Sequence, residues 1–192
     1  MLVFAITVLN WTAAFGHGTS SGLRAPGVQI PSLTHGQMAV IARYRSDILA
    51  LASEQTETDL TFRRLVNYGN IQYTYCLWGV VPGSTSDEQS PFNECSHAYL
   101  SATKAILEHM KTMPGSKQAA QQLISEIDAD MVLSGASWVL CQFSGEQFST
   151  GKVIEPQWRG VLFHWPSFLT FSGATVVAFG GVFVLFKPRR GW

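Results

Sequence analysis

Three cysteines, Cys76, Cys95 and Cys141, and five histidines are the side chains of this 192-residue chain best suited to hold a metal, exchange electrons or cross-link the fold. Outside the cytoplasm, neighbouring thiols oxidise to disulfides. A Cys76–Cys95 bond would close a loop of about twenty residues, which the chain-entropy argument values at about 3 kcal/mol. Cys76–Cys141 and Cys95–Cys141 stay open as alternatives, because spacing alone does not decide connectivity. The third thiol is then a small buried apolar group, half of a bridge between molecules, or a redox or metal ligand.

Cys95-Ser96-His97 is half of a metal site, since zinc asks for four ligands, or three and a water. His109 follows on the same expected helix, about 120° around its axis, so it does not complete the set. His17 offers a second chemistry. If an exported chain is cut after Gly16, the new amine and the imidazole form a nitrogen pair for copper, with His35 as the second histidine. Haem would need inward His or Met ligands, for which His109, Met110 and Met131 stand near helical stripes, although no Cys-x-x-Cys-His motif accompanies them. Catalysis finds no footing. There is no Gly-x-Ser-x-Gly elbow and no phosphate- or dinucleotide-binding glycine motif. Glu126 and Asp128 project about 200° apart on their helix. The chain reads as non-enzymatic.

The elements that must position these groups are helical. Met38, Ile41, Ala42, Tyr44, Ile48, Leu49 and Ala52 trace a first helix. Thr58 caps a second that begins at Leu60 and is expected to continue through Ile71 to Val81, although that run also suits a strand. Cys95, Ala98, Tyr99, Ala102, Ala105, Ile106 and Met110 give a third, ending at Met113-Pro114-Gly115. Ser116 caps a long fourth whose stripe is Ala120, Leu123, Ile124, Ile127, Met131, Trp138 and Cys141. Short connections predict antiparallel neighbours, and these gather all three cysteines at one pole. Tyr68, Tyr73, Tyr75, Trp78, Phe92, Tyr99 and Trp138 are expected to fill the core near that pole. The fold class is all-α, a small antiparallel helical bundle followed by a single C-terminal transmembrane helix.

That last helix is the run from Ser167 to Phe186, twenty residues with no ionisable group. At about 1.5 Å per residue it matches a bilayer core of roughly 30 Å. Lys187, Arg189 and Arg190 follow it, and the positive-inside rule puts that end in the cytoplasm. Trp158 and Trp165 suit the opposite headgroup region. Thr170, Gly173, Ala174, Ala178, Gly180 and Gly181 fall on one half of the helix, with Phe168, Phe171, Phe179, Phe183 and Phe186 on the other. Small residues let helices pack closely in lipid, so the first face is a seat for a partner helix.

The remaining segments follow from composition. Residues 1–16 read as a signal peptide or N-terminal anchor, with an apolar core but no preceding basic residue. Residues 17–36 are Gly-, Ser- and Pro-rich and read as a flexible arm. The helical domain covers 37–143, a juxtamembrane linker 144–166, the membrane helix 167–186 and a basic tail 187–192. With 13 basic and 13 acidic residues the chain shows no nucleic-acid footprint. The expected role is an accessory or assembly subunit of a membrane complex in a bacterial inner membrane, with the bulk of the chain periplasmic. A eukaryotic secretory-pathway membrane is the alternative address. The rival functions are a copper or thiol-redox protein using His17, His35 or the cysteines, and a small-ligand sensor that signals through a partner.

Overall fold

The computed structural model describes residues 27–185. The apolar segment 1–16, His17, Phe186 and the basic residues Lys187, Arg189 and Arg190 lie outside the described residues. In chain order the elements are β1 (Gln29–Ile30), α1 (His35–Ser53), α2 (Leu60–Tyr75), α3 (Asn93–Met110), α4 (Lys117–Leu133), β2 (Phe148–Ser149) and α5 (Trp165–Leu185). The architecture is therefore mostly helical. β1 and β2 pair antiparallel, Gln29 opposite Ser149 and Ile30 opposite Phe148. No strand was expected here. The pairing is short and rests on burying Ile30 and Phe148.

α3 is the centre, packed by α1, α2 and α4, with thirteen of its eighteen residues buried. α2 runs antiparallel to it. Cys76 at the end of α2 is bonded to Cys95 at the start of α3, and Asp59 before α2 meets His109 near the end of α3 at 2.7 Å. α1 and α4 are also antiparallel: the start of α1 lies against Ala136 and Val139 beyond α4, and Gln55 beyond α1 lies near Gly115 before α4. One pole therefore collects the start of α1, the end of α2, the start of α3 and the end of α4.

Local chemistry fixes these boundaries. Thr34 and Gln37 form a reciprocal capping box, 3.1 and 3.0 Å, that starts α1 at His35. Residues 27–36 thus belong to the folded domain, where a flexible arm was expected. Their Gly and Pro content hid two buried anchors, Ile30 and Leu33. Asp59, one residue later than the expected Thr58, caps α2 through the Phe62 N–H at 2.7 Å. α2 does not reach Val81. The backbone turns left-handed at Leu77, φ 45°, and again at Gly79, φ 79°. α4 likewise stops at Leu133, because Gly135 adopts φ 62°. Trp138 and Cys141 are therefore not on its stripe, and Trp138 is 87% exposed instead of filling the core. Ser116 is the N-cap of α4 as expected, but its side chain makes no cap hydrogen bond; the hydroxyl donates instead to the Met110 carbonyl at 3.1 Å. Tyr68, Phe92 and Tyr99 are buried as expected of core aromatics, whereas Tyr73 and Tyr75 are exposed. Arg45 lies over Tyr73, Trp78 and Tyr99, with its guanidinium 5.3–5.9 Å from the ring centres.

The chain from 144 to 166 is tied down along its length. Phe148 and Ile154 are buried, and the Gln72 amide, suitably oriented, pairs with both backbone groups of Ile154 at 3.2 and 3.3 Å. α5 is the one helix among the described residues that is long and apolar enough to cross a membrane. Its base is rooted in the domain. Phe171, expected on a lipid-facing side, packs instead against Phe92 and Trp158 at 6.0 and 6.1 Å.

Gly36 is where α1 meets the turn after α4 most closely. Its N–H donates to the Val139 carbonyl at 3.0 Å, and a Cβ at this position would run into the Ala136 carbonyl. Gly36→Ala is expected to destabilise the domain by about 2 kcal/mol through overpacking, read as a lowered urea midpoint with an unchanged slope.

Candidate metal centre at the cysteine pole

His97 sits on the first turns of α3 and is fully buried. Its position follows from α3 being wrapped on several sides, which leaves polar as well as apolar side chains inside. His35 is the first residue of α1, aimed at α3 by the Thr34–Gln37 cap. Cys141 comes from the chain beyond α4, after the left-handed turn at Gly135 and the single helical turn Ala136–Trp138. These three converge. Their donor atoms all lie within 4.8 Å of one another. The Cys141 sulfur is 3.1 Å from His97 Nε2, and the His35 and His97 ring centres are 6.2 Å apart.

Ser144 holds the cysteine. Its hydroxyl oxygen accepts from the Cys141 N–H at 2.8 Å, and its O–H donates to the sulfur at 3.4 Å. Phe143 lies against the other side of the His97 ring, with centres 5.9 Å apart. His35 and Cys141 are half-buried, so the group can be reached from solvent. The Nδ1 atoms of both His35 and His97 are buried without a hydrogen-bond partner. Such orphaned groups cost about 1–3 kcal/mol each, and they call for an explanation.

Two chemistries use a cysteine beside a histidine. A nucleophilic pair needs a thiolate facing an imidazolium, with a third group orienting the ring. Burial, with a smaller contribution from His35, pushes His97 down to about 4, so its charged form is disfavoured. Its Nδ1 meets no orienting acceptor. A metal ligand needs the opposite, a neutral imidazole with a free lone pair. A zinc-sized ion would hold its N and S ligands about 3.6 Å apart, from bond lengths near 2.0 and 2.3 Å. The observed separations of 3.1 Å and up to 4.8 Å bracket that value. The arrangement suits a shared ion better than nucleophilic attack.

The other residues weighed for chemistry fall elsewhere. Cys76 and Cys95 are joined to each other, with Cα atoms 5.4 Å apart, and Cys141 carries the free thiol. Cys141 is not a buried core residue but half of the cluster's open side. His109 is engaged with Asp59, and Met110 and Met131 sit in the apolar core. A groove of about 480 Å³ between β1, α2 and α3 includes Leu65, Lys104, Ala105 and His109 in its wall. It lies along α3 toward the opposite pole from Cys141 and His35. Sequence spacing pointed to His97 through Cys95-Ser-His and to His35 through the copper argument. It did not join them, because their contact spans 62 residues and three elements, from His35 to His97.

A second chain of polar groups resembles an acid–histidine–serine relay. His164 Nε2 is 2.9 Å from Asp87 Oδ2, and its Nδ1 is 2.7 Å from the Ser167 hydroxyl. Ser167 is fully buried, so no substrate can reach it. Its backbone N–H also points at Nδ1, 3.4 Å away. The ring therefore acts as a cap on the first turn of α5 and fastens that helix to the 82–91 loop.

No family model matches the chain, and no curated protein or solved structure matches it. The class rests on the fold and the site alone: a helical domain that has, among the described residues, one membrane-length apolar helix and a His/His/Cys cluster.

The fastening is titratable. The hydrogen bond from His164 holds the Asp87 carboxyl below its ordinary 3.8, helped by the Gln89 N–H. A depressed carboxylate stabilises the fold above its unfolded value, and that contribution is lost as pH falls through the lowered one. Wild-type protein should therefore lose more stability than Asp87→Asn as pH falls below about 5. Urea titrations across that range check it, and parallel losses would remove Asp87 from the account.

Proposed function

We infer that this chain is a membrane-anchored, non-enzymatic accessory protein whose helical domain holds one soft or borderline transition-metal ion through His35, His97 and Cys141. The observation that carries the reading is the convergence of two imidazoles and a thiol from three separate elements, within 4.8 Å, with one of the rings fully buried. Thiolate and imidazole are donors for copper and zinc rather than for calcium or magnesium. His17, the earlier copper candidate, would at most add a further nitrogen to this group.

The anchor is α5. Its residues from Gly173 to Val182 are exposed, and Gly173, Gly180 and Gly181 face open space. The basic residues Lys187, Arg189 and Arg190 support a cytoplasmic end, with the domain on the other side in a bacterial periplasm. More apolar surface lies at the same pole: Leu133, Trp138 and Leu140 are 87%, 87% and 68% exposed, and Phe163 at the foot of α5 is 90% exposed. Exposed large apolar side chains in this number suit a surface that meets lipid or protein. The subunit role rests on the small-residue face Thr170, Gly173, Ala174, Ala178, Gly180 and Gly181, whose glycines have nothing opposite them among the described residues.

Two experiments test these parts separately. Detergent-purified protein, dialysed free of metal and then offered zinc, cobalt or copper, should retain about one equivalent of at least one of them, as expected for one three-donor site. His97→Gln and Cys141→Ser should each lower metal affinity by about 100-fold; retention equal to wild type in both would end the metal reading. Ala174→Leu with Gly181→Leu should abolish association with a partner helix while leaving membrane insertion intact. Unchanged association, by cross-linking in native membranes, would refute that contact.

A further inference from the structure

Charge decides which ion the pocket suits. The donor group is two imidazoles and one thiol, and no carboxylate belongs to it among the described residues. Imidazole binds a metal as a neutral ligand, whereas the thiol binds as an anion. The ligand set therefore supplies one negative charge. A monovalent ion leaves the filled site neutral. A divalent ion leaves one positive charge beside His97, which is fully buried and backed by Phe143. Uncompensated charge is strongly disfavoured in such surroundings. A further histidine, from whichever part of the chain, would add a donor and no charge, so the balance would stand. A zinc ion could reach neutrality only by taking a bound hydroxide as a fourth ligand.

Coordination number points the same way. Three donors from three elements form a complete shell for an ion content with trigonal coordination, whereas tetrahedral zinc would need a water or hydroxide as its fourth ligand. Thiolate is a soft donor that suits both monovalent copper and zinc, so softness admits copper while charge and coordination number separate the two. The Ser144 hydroxyl donates to the sulfur at 3.4 Å and so holds it in place without adding net charge.

We propose that the His35–His97–Cys141 group is a binding site for a single monovalent copper ion in three-coordinate form. The proposal rests on the metal-site reading above and narrows it to one ion.

The test uses the full chain in mild detergent, without oxygen, with ascorbate as the reductant so that the Cys76–Cys95 bond stays intact. Monovalent copper and divalent zinc are each titrated against a chromogenic chelator. One equivalent of copper should bind at least about 1,000-fold more tightly than zinc, as expected for a soft, singly anionic site. Cys141→Ser and, separately, His35→Gln should each weaken copper binding by about 100-fold with helical circular dichroism unchanged. Zinc bound as tightly as copper, through the same three residues, would overturn the assignment to copper while leaving a metal site in place. Neither ion held at one equivalent would overturn both readings. Copper binding unaffected by either substitution would move the metal to another site and overturn the proposal.

Discussion

α3 must be buried on several sides for the domain to close, and most of the unusual chemistry follows from that. A helix packed by three others cannot keep its polar residues in water. Asn93, Ser96, His97, Ser101 and Thr103 are all buried, alongside Tyr99, Leu100, Ile106 and Met110. Some find partners nearby: Asn93 donates to the Ser84 carbonyl at 3.2 Å, and Thr103 to the Tyr99 carbonyl at 3.0 Å. His97 finds a cysteine and another histidine, and keeps one nitrogen unpaired. A fold seeking only stability would place an aliphatic side chain there, since an orphaned polar group costs about 1–3 kcal/mol. That cost falls on Nδ1, whereas the Nε2 that faces the Cys141 sulfur at 3.1 Å is the nitrogen placed for a ligand.

The second constraint is convergence at one pole. Helices that alternate in direction bring the start of α3 and the end of α4 together. The Cys76–Cys95 bond pins α2 to the same end of α3. The Thr34–Gln37 cap aims α1 at it, and Gly36 lets the turn after α4 come into backbone contact. Each of these is a local feature of a few residues. Together they fix the distance between side chains 106 residues apart, from His35 to Cys141. No donor in the cluster is held by its own helix alone, so loss of any one of these contacts would loosen the site before it unfolded the domain.

Much of the scaffold was legible from residue patterns. The stripes of α1, α3 and the first part of α4 have a clear helical period, and Met113-Pro114-Gly115 marks a stop that local sterics enforce. The gathering of the cysteines followed from short connections. What stayed hidden depended on single backbone dihedrals or on distant partners. The stop of α4 at Leu133 turns on Gly135 taking a left-handed conformation, and a lone glycine in a helical pattern does not announce that. The β1–β2 pair is two residues long on each side, too short for a period to register. The 27–36 stretch looks like a linker by composition, yet Ile30 and Leu33 bury completely. Composition places His35, the first residue of α1, in a flexible arm. With His35 in an arm and Cys141 on a helix stripe, spacing does not assemble the cluster, although each of its members carries metal chemistry on separate grounds.

The root of α5 ties the site to the membrane question. Phe171 packs on Phe92, which immediately precedes α3, and His164 clasps Asp87 in the loop before it. Gln142, next to Cys141, donates to the Glu88 carbonyl in that same loop at 3.2 Å. One loop thus touches both the base of the membrane-length helix and the strand of chain that carries the candidate ligand. The first turns of α5 carry both kinds of surface: Ser167 is buried and Phe171 packs on the domain, while Trp165, Phe168 and Leu169 stay exposed. Ser167 and Phe171 are four residues apart, so the rooted side is one helical face. The contacts that hold the base of α5 therefore run through the same loop that steadies the Cys141 segment, and a change at that base would be felt at the candidate ligand.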